Sequence, residues 1–268
     1  MPELPEVETT VRGLRPILEG QVLTLVEARR ADIRRAIPAD LRQRLQGARV
    51  TGLGRRAKYG LIHIDRGDTL VFHLGMSGSW RIDPYPLRPH DHLVIETGAG
   101  RRLALHDPRR FGSLDLVPTE ALDAWPPFAA LGPEPFGLDG AWLGRAFSGR
   151  RAPVKALLLD QRVVAGLGNI YVCEALNVAR IDPRAMGGSI GRARLDRLAA
   201  AIPTVLDAAI AAGGSTLRDY VQPDGELGYF ANDFRVYGRE GQRCPCGGTV
   251  QRIVQSGRST FWRPKCQK

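Results

Sequence analysis

Two carboxylates stand beside a proline that follows the initial methionine, in the run Met1-Pro2-Glu3-Leu4-Pro5-Glu6-Val7-Glu8-Thr9. Initiator methionine is ordinarily removed ahead of a residue as small as proline, so the mature chain is expected to begin with the secondary amine of Pro2. An α-amino group titrates at roughly pH 8, which leaves a useful fraction uncharged and nucleophilic near neutrality. A secondary amine that condenses with an aldehyde cannot give a neutral imine; it gives a cationic iminium, which is an electron sink. Glu3 and Glu6 would then supply a general acid and charge stabilisation. The plainer reading makes Pro2 a proteolysis-resistant terminus and Pro5 a first-turn helix residue.

A second group of reactive side chains lies at the other end. Cys244, Cys246 and Cys266 crowd into the last 25 residues, while Cys173 stands apart. The acidic N-terminus has no apolar signal-peptide core, so the expected compartment is the cytoplasm, where such a cluster reads as a metal site or its remnant rather than a disulfide framework. Lys and Arg number 38 against 28 Asp and Glu, a net charge of +10 over 268 residues. The excess is concentrated after residue 234, where eight basic side chains face Glu240 alone. A polyanionic partner follows, nucleic acid ahead of membrane, since no basic amphipathic helix with a bulky apolar face is present.

These groups need a scaffold. Val7, Val11, Leu14 and Leu18 recur at helical spacing and predict a helix over 3–18, with Pro5 near its start and Gly20 after its end. Short β-rich runs follow between 22 and 116, such as 61–64, 70–74, 93–95 and 103–105, separated by Gly, Pro and Asp; they suit a β-sandwich. The stretch 125–138, rich in Pro and Gly, reads as a linker. Helices are expected over 153–159, 170–179 and 195–212, the last with Leu195, Leu198, Ile202, Leu206 and Ile210 on one face. The turn Gly166-Leu167-Gly168-Asn169 could cap a helix through Asn169 and present amides to a phosphate. The alternative is plain helix–helix geometry. The tail reads as a β-hairpin with its strand alternation at 249–254.

Seven strings agree with one family: PELPEVET at 2–9, RRAKY at 55–59, HLGMSGS at 73–79, DPRRFG at 107–112, LGPEP at 131–135, GLGNIYVCEAL at 166–176, and GRSTFW followed by CQK at the end. Together they resemble bacterial formamidopyrimidine-DNA glycosylase, which removes oxidised purines such as 8-oxoguanine and nicks the resulting abasic site. Leu4 and Val7 favour this branch over the related pyrimidine-lesion enzymes. The resemblance implies an α+β chain: an N-terminal catalytic β-sandwich domain with a leading helix over 1–128, a linker at 129–140, a helix-two-turn-helix domain over 141–232, and a zinc-finger-like β-hairpin over 234–268. It also implies a cytoplasmic, nucleoid-associated bacterial monomer that acts on double-stranded DNA.

Residue roles carry over with the motifs. The resemblance makes Pro2 the nucleophile at the sugar C1′, Glu3 the general acid on the ring oxygen, and Glu6 a support for sugar or amine. Lys58 is the matched proton donor for the first elimination and Arg258 for the second. A guanidinium with a pKa above ~12 is a poor acid, so Arg258 reads physically as a clamp on the leaving phosphate. Met76, Arg109 and Phe111 match the positions that fill the gap left by an everted nucleotide. Phosphate contacts fall to His73, His90, Arg109, Arg150 and Asn169. Residues 222–230 match a mobile loop that closes over the everted base, where Pro223 removes one amide donor.

The metal site departs from the pattern. The family tail carries two CxxC pairs around one Zn²⁺, but here the first is shortened to Cys244-Pro245-Cys246 and Arg263 stands where the fourth thiol belongs. With three ligands (Cys244, Cys246, Cys266), the hairpin either binds zinc weakly with water completing the shell or is metal-free and held by Val254, Phe261 and Trp262. Two other functions stay open: a pyrimidine-lesion glycosylase of the same superfamily, and a non-catalytic damaged-DNA binding protein.

Overall fold

The computed structural model describes residues 2–216 and 220–268. Its described residues fall into two compact units, one formed by Met1–Ala129 with Ile210–Ala231 and the other by Ala130–Ala209 with Asn232–Lys268. Residues 210–231, grouped by their position in the sequence with the helical domain, therefore pack with the first unit.

In the first unit, α1 (Leu4–Leu18) leads into eight strands: β1 (Leu23–Ala28), then, after the one-turn α2 (Leu41–Leu45), β2 (Val50–Arg56), β3 (Tyr59–Ile64), β4 (Asp68–His73), β5 (Ser79–Ile82), β6 (Asp91–Thr97), β7 (Arg102–His106) and β8 (Ser113–Pro118). They form two antiparallel sheets of order β1-β6-β7-β5 and β2-β3-β4-β8. One apolar core joins inward residues of both sheets, such as Leu53, Phe72, Trp80, Ile95 and Leu105, with Val7, Val11, Leu14 and Leu18 of α1. Full burial of a side chain of this size contributes about 2 kcal/mol, so the stripe on α1 fixes the helix, and with it Pro2, against the sandwich. A one-turn helix, α3 (Pro126–Ala129), interrupts the stretch expected to be linker, because Phe128 buries against Tyr59 and Trp125.

In the second unit α4 (Gly140–Phe147) opens on Asp139, whose Oδ1 accepts the Trp142 N–H at 2.7 Å. It is followed by α5 (Val154–Leu159), α6 (Asn169–Val178) and α7 (Arg192–Ala211). Leu195, Leu198, Ile202 and Leu206 form the buried face of α7, as their spacing predicts, and Pro203 lies within the helix. The strands β9 (Gln251–Gln255) and β10 (Arg258–Trp262) make the terminal hairpin, paired from Gln255↔Arg258 to Gln251↔Trp262. Trp262 is buried and Phe261 packs near Val236 and Val250, but Val254 is 67% exposed. Val254 therefore does not hold the hairpin; strand alternation turns its side chain to solvent. Among the described residues no helix is long and apolar enough to cross a membrane.

Candidate active site

The acids expected from sequence meet at the start of α1. Pro2 is buried, and Glu3 is the helix N-cap in an extended conformation. A reciprocal capping box joins the two carboxylates to the backbone: the Glu3 side chain accepts the Glu6 N–H, and Glu6 Oε2 accepts the Glu3 N–H at 2.8 Å. Glu6 Oε1 accepts a further N–H, from Ser215, at 2.8 Å. Both oxygens of Glu6 are thus engaged by backbone donors, and this carboxylate orients the helix terminus. Tyr220 closes the same cluster, donating from its hydroxyl to the Glu6 carbonyl at 3.3 Å. Burial, and then the Glu6 charge, push its phenol well above the usual range. Gly214, at φ +85°, leaves the room that Glu6 and Tyr220 fill, since a Cβ there would lie 3.1 Å from the Tyr220 ring and 3.2 Å from Glu6 Cγ. Ser215 and Tyr220 carry no signal in the sequence; Gly213-Gly214 reads locally as a helix stop, and the partner lies at the far end of the chain.

Lys58 lies in the connection between β2 and β3, half-buried. Arg55 braces this turn, its Nη1 donating to the Ala57 carbonyl at 2.9 Å while its Nε reaches Glu8 of α1 at 3.1 Å. Gly60 is required beside it because the Phe72 ring occupies the volume of a Cβ. The Lys58 charge is felt by His73: burial first, then Lys58, Arg34 and Arg35, lower the His73 pKa to about 4. His73 Nδ1 accepts the Gly75 N–H at 3.0 Å. His73 thus shapes a turn through Nδ1, and its surroundings disfavour the charged imidazolium.

That turn carries Met76, which is 37% exposed, as Phe111 is 43% exposed in the loop before β8. Asp107 ties the two loops together: Oδ1 accepts from the Ser77 hydroxyl and Oδ2 from the Gly112 N–H, both at 2.8 Å. Gly75, at φ +63°, lies so close to Phe111 that a Cβ would come within 2.3 Å of its carbonyl carbon. The guanidinium of Arg109 rests over the Phe111 ring at 4.9 Å. The result is a projecting apolar pair with a cation attached. His90 and Arg109 are exposed in this unit. Beside the Met76 turn, a cavity of about 470 Å³ is lined by Ser77, Trp80, Arg81, His106 and residues 221–225.

The loop matched to lesion closure is anchored to β5: the Ile82 N–H donates to the Pro223 carbonyl at 2.9 Å, and the Pro223 ring packs against Gly13 of α1. The N–H groups of Gln222, Gly225, Glu226 and Gly228 are spent inside the loop or on Thr216. Readout through those amides would need the loop to open. Residues 217–219 lie outside the described residues.

In the second unit Arg150 is exposed, and Arg258 opens β10 after the turn at Ser256-Gly257, also exposed. Asn169 does not cap α6; Gly168 is the N-cap, and the Asn169 amide donates to the Ser259 carbonyl at 2.9 Å. The turn 166–168 is buried, with the Gly166 N–H donating to Gln161 Oε1 at 2.9 Å.

These groups sit within a recognisable whole. Residues 1–114 match the model of the formamidopyrimidine-DNA glycosylase N-terminal domain, and residues 131–221 that of the formamidopyrimidine-DNA glycosylase H2TH domain. The chain belongs to the formamidopyrimidine-DNA glycosylase family. It is 68% identical to the formamidopyrimidine-DNA glycosylase of Rhizorhabdus wittichii and 67% identical to that of Novosphingobium aromaticivorans, in each case over 100% of both chains. Solved glycosylases of this family share the fold. A point mutant of the Lactococcus lactis enzyme, in complex with a Fapy-dG containing DNA, superposes with a TM-score of 0.92 at 33% identity over 100% of both chains. The Thermus thermophilus protein gives 0.87 at 42% identity, covering 99% of this chain and 98% of that one.

Measured against the family's four-thiolate zinc, the tail is incomplete. The sulfurs of Cys244, Cys246 and Cys266 all lie within 4.8 Å of one another and could hold a metal ion. Arg263, at the fourth position, directs its backbone N–H to Gln267 Oε1 at 2.8 Å and its guanidinium to the Arg235 carbonyl at 2.6 Å. Among the described residues no fourth His, Cys, Asp or Glu joins the three. A closed tetrahedral set does not fit these residues.

Proposed function

We infer that this chain is a base excision repair enzyme, a bifunctional glycosylase and abasic-site lyase that removes oxidised purines from double-stranded DNA. The observation that carries this reading is the buried terminus of α1, where Pro2 stands against the Glu3–Glu6 capping box in a chain that aligns end to end with named formamidopyrimidine-DNA glycosylases. The net charge of +10 suits a polyanionic substrate, and the expected place of action is the bacterial cytoplasm, at the nucleoid.

After Met1 removal, the Pro2 nitrogen attacks C1′ of the everted nucleotide. Glu3 protonates the ring oxygen, the C1′–O4′ bond opens, and the base departs with its bonding pair and a proton. The iminium that remains acidifies C2′; loss of that proton and cleavage of the C3′–O bond expel the 3′ phosphate, with Lys58 shuttling the proton. A second elimination removes the C4′ proton and breaks the C5′–O bond, whose electron pair leaves with the phosphate that Arg258 neutralises. Water then hydrolyses the iminium and frees Pro2. Glu6 acts through geometry, since its oxygens already hold Glu3 and Ser215.

Met76 and Phe111 fill the gap in the stack while Arg109 hydrogen-bonds the orphaned base. Phosphates are met by His90, Arg109 and Arg150. Borohydride trapping on an 8-oxoguanine duplex tests the proposal: a covalent adduct on the N-terminal peptide, lost in Pro2→Gly, is expected. A crosslink on a lysine, or tight binding with no adduct, overturns it.

A further inference from the structure

The hairpin 234–268 is seated by protein contacts that involve no thiol. The Glu174 carboxylate, buried on α6, accepts the backbone N–H groups of Arg235 at 2.8 Å and of Val236 and Tyr237 at 2.9 Å. Buried Lys155 of α5 donates to the Ser259 carbonyl at 3.0 Å and to the Thr260 hydroxyl at 2.6 Å, gripping β10 from beneath. Gln267 locks the last turn, giving its amide to the Ile181 carbonyl at 2.8 Å and taking N–H groups from Asn177 and Arg263. Trp262 buries under the Arg184 guanidinium, 4.3 Å from the ring centroid. Small metal-nucleated domains lack this support, which is why they unfold when the ion is removed.

A fourth sulfur would cross-link the segment before the hairpin to the segment after it. Here the Arg263 guanidinium instead ties the end of β10 to the start of the tail by bonding the Arg235 carbonyl. The three thiols are left on one side, on a cavity of about 990 Å³ that they share with Arg180, Arg194 and Arg197. The Cys244 sulfur lies 2.9 Å from that of Cys246 and 3.6 Å from that of Cys266, and bonds of roughly 2.3 Å would hold three sulfurs about 4 Å apart in a trigonal set, so closing on an ion asks these thiols to spread by about 1 Å. Soft thiolate donors select soft ions.

We propose that the hairpin of this chain folds without metal and that Cys244, Cys246 and Cys266 form an open three-sulfur site for a soft ion, not a structural zinc site. Binding exchanges thiol protons for metal–sulfur bonds, with no change of oxidation state, and leaves a coordination position facing the cavity.

The full-length chain is purified, dialysed against a chelator and tested three ways. Elemental analysis is expected to find far less than one zinc per chain. Melting of the chelated chain and of the triple variant Cys244→Ser/Cys246→Ser/Cys266→Ser should agree with untreated protein to within about 1 °C, which for a chain of this length is a negligible stability change. Titration with Cd²⁺ should raise a sulfur-to-cadmium charge-transfer absorbance that saturates at one equivalent, loses about a third of its intensity in Cys246→Ser, and vanishes in the triple variant. Retention of one zinc through dialysis, a drop in melting temperature on chelation, or no cadmium band would each overturn the proposal. None of these readouts depends on glycosylase activity.

Discussion

The Ser215 backbone N–H donates to Glu6 Oε1 at 2.8 Å across 209 residues of sequence, while the other oxygen of the same carboxylate holds Glu3. One buried side chain thereby fixes the helix start that presents Pro2 and the loop that follows α7. Glu6→Gln keeps the shape but turns an NH₂ toward a backbone donor. A buried donor left unsatisfied costs about 1–3 kcal/mol, so melting temperature should fall measurably. Single-turnover excision should fall by tenfold or more, with affinity for lesion DNA changed much less. Equal loss of binding and rate would show that Glu6 does not act on the nucleophile's geometry.

Asp107 predicts a different pattern for Met76 and Phe111, the pair proposed to enter the stack. Asp107→Ala strands both the Ser77 hydroxyl and the Gly112 N–H in a buried place, a loss of roughly 2–6 kcal/mol for two such groups. Asp107→Asn should restore most of it, because an amide can accept from Gly112 while donating to the Ser77 oxygen. A 2-aminopurine opposite the lesion, whose fluorescence reports local unstacking, should lose its response in Asp107→Ala and regain it in Asp107→Asn. An unchanged response in the alanine variant would separate the Met76 and Phe111 loops from insertion.

Much of the scaffold is legible because periodicity reports burial. The stripe Val7, Val11, Leu14, Leu18 and the run Leu195, Leu198, Ile202, Leu206 are buried as their spacing demands. Helix α4 escapes such a reading because its two glycines fall just after a Pro- and Gly-rich stretch and resemble more of it; its signal is the capping aspartate, Asp139. At the site, Pro2, Glu3 and Glu6 announce themselves by proximity in sequence. Their partners do not: Ser215 contributes a backbone N–H, which any residue type could offer, and the burial and cationic neighbours that lower the pKa of His73 come from residues distant in sequence. Pairing across long sequence separations leaves no local pattern to read.

His73 gives the pH dependence. Its pKa falls from 6.5 toward about 4 in the fold, so the folded chain resists protonation that the unfolded chain accepts. Its contribution is complete above pH 6.5 and is lost progressively as pH falls from there to about 4, roughly 3 kcal/mol over the window. Melting temperature followed from pH 7 to pH 4.5 should therefore decline. In His73→Asn, whose side-chain oxygen can still accept from Gly75, the decline should be shallower. Parallel curves for the two proteins would exclude His73 as the source.

Glu174 seats the hairpin whose strand β10 begins at Arg258, the residue proposed to act in the second elimination. Replacing it with Gln removes one acceptor from a carboxylate that takes three backbone N–H groups, and hydrogen bonds to a charged group contribute about 1.5–3 kcal/mol each. Opening of the hairpin should become on the order of 10–100 times more frequent, seen as faster amide exchange at 235–237 and along β10. Arg258 stands at the first position of β10, so its placement suffers while that of Pro2 does not. The expected outcome is selective: borohydride trapping persists, and the product mixture moves from δ-elimination toward β-elimination. If trapping and both eliminations fall together, the hairpin serves DNA binding as a whole and Arg258 has no separate part in expelling the second phosphate.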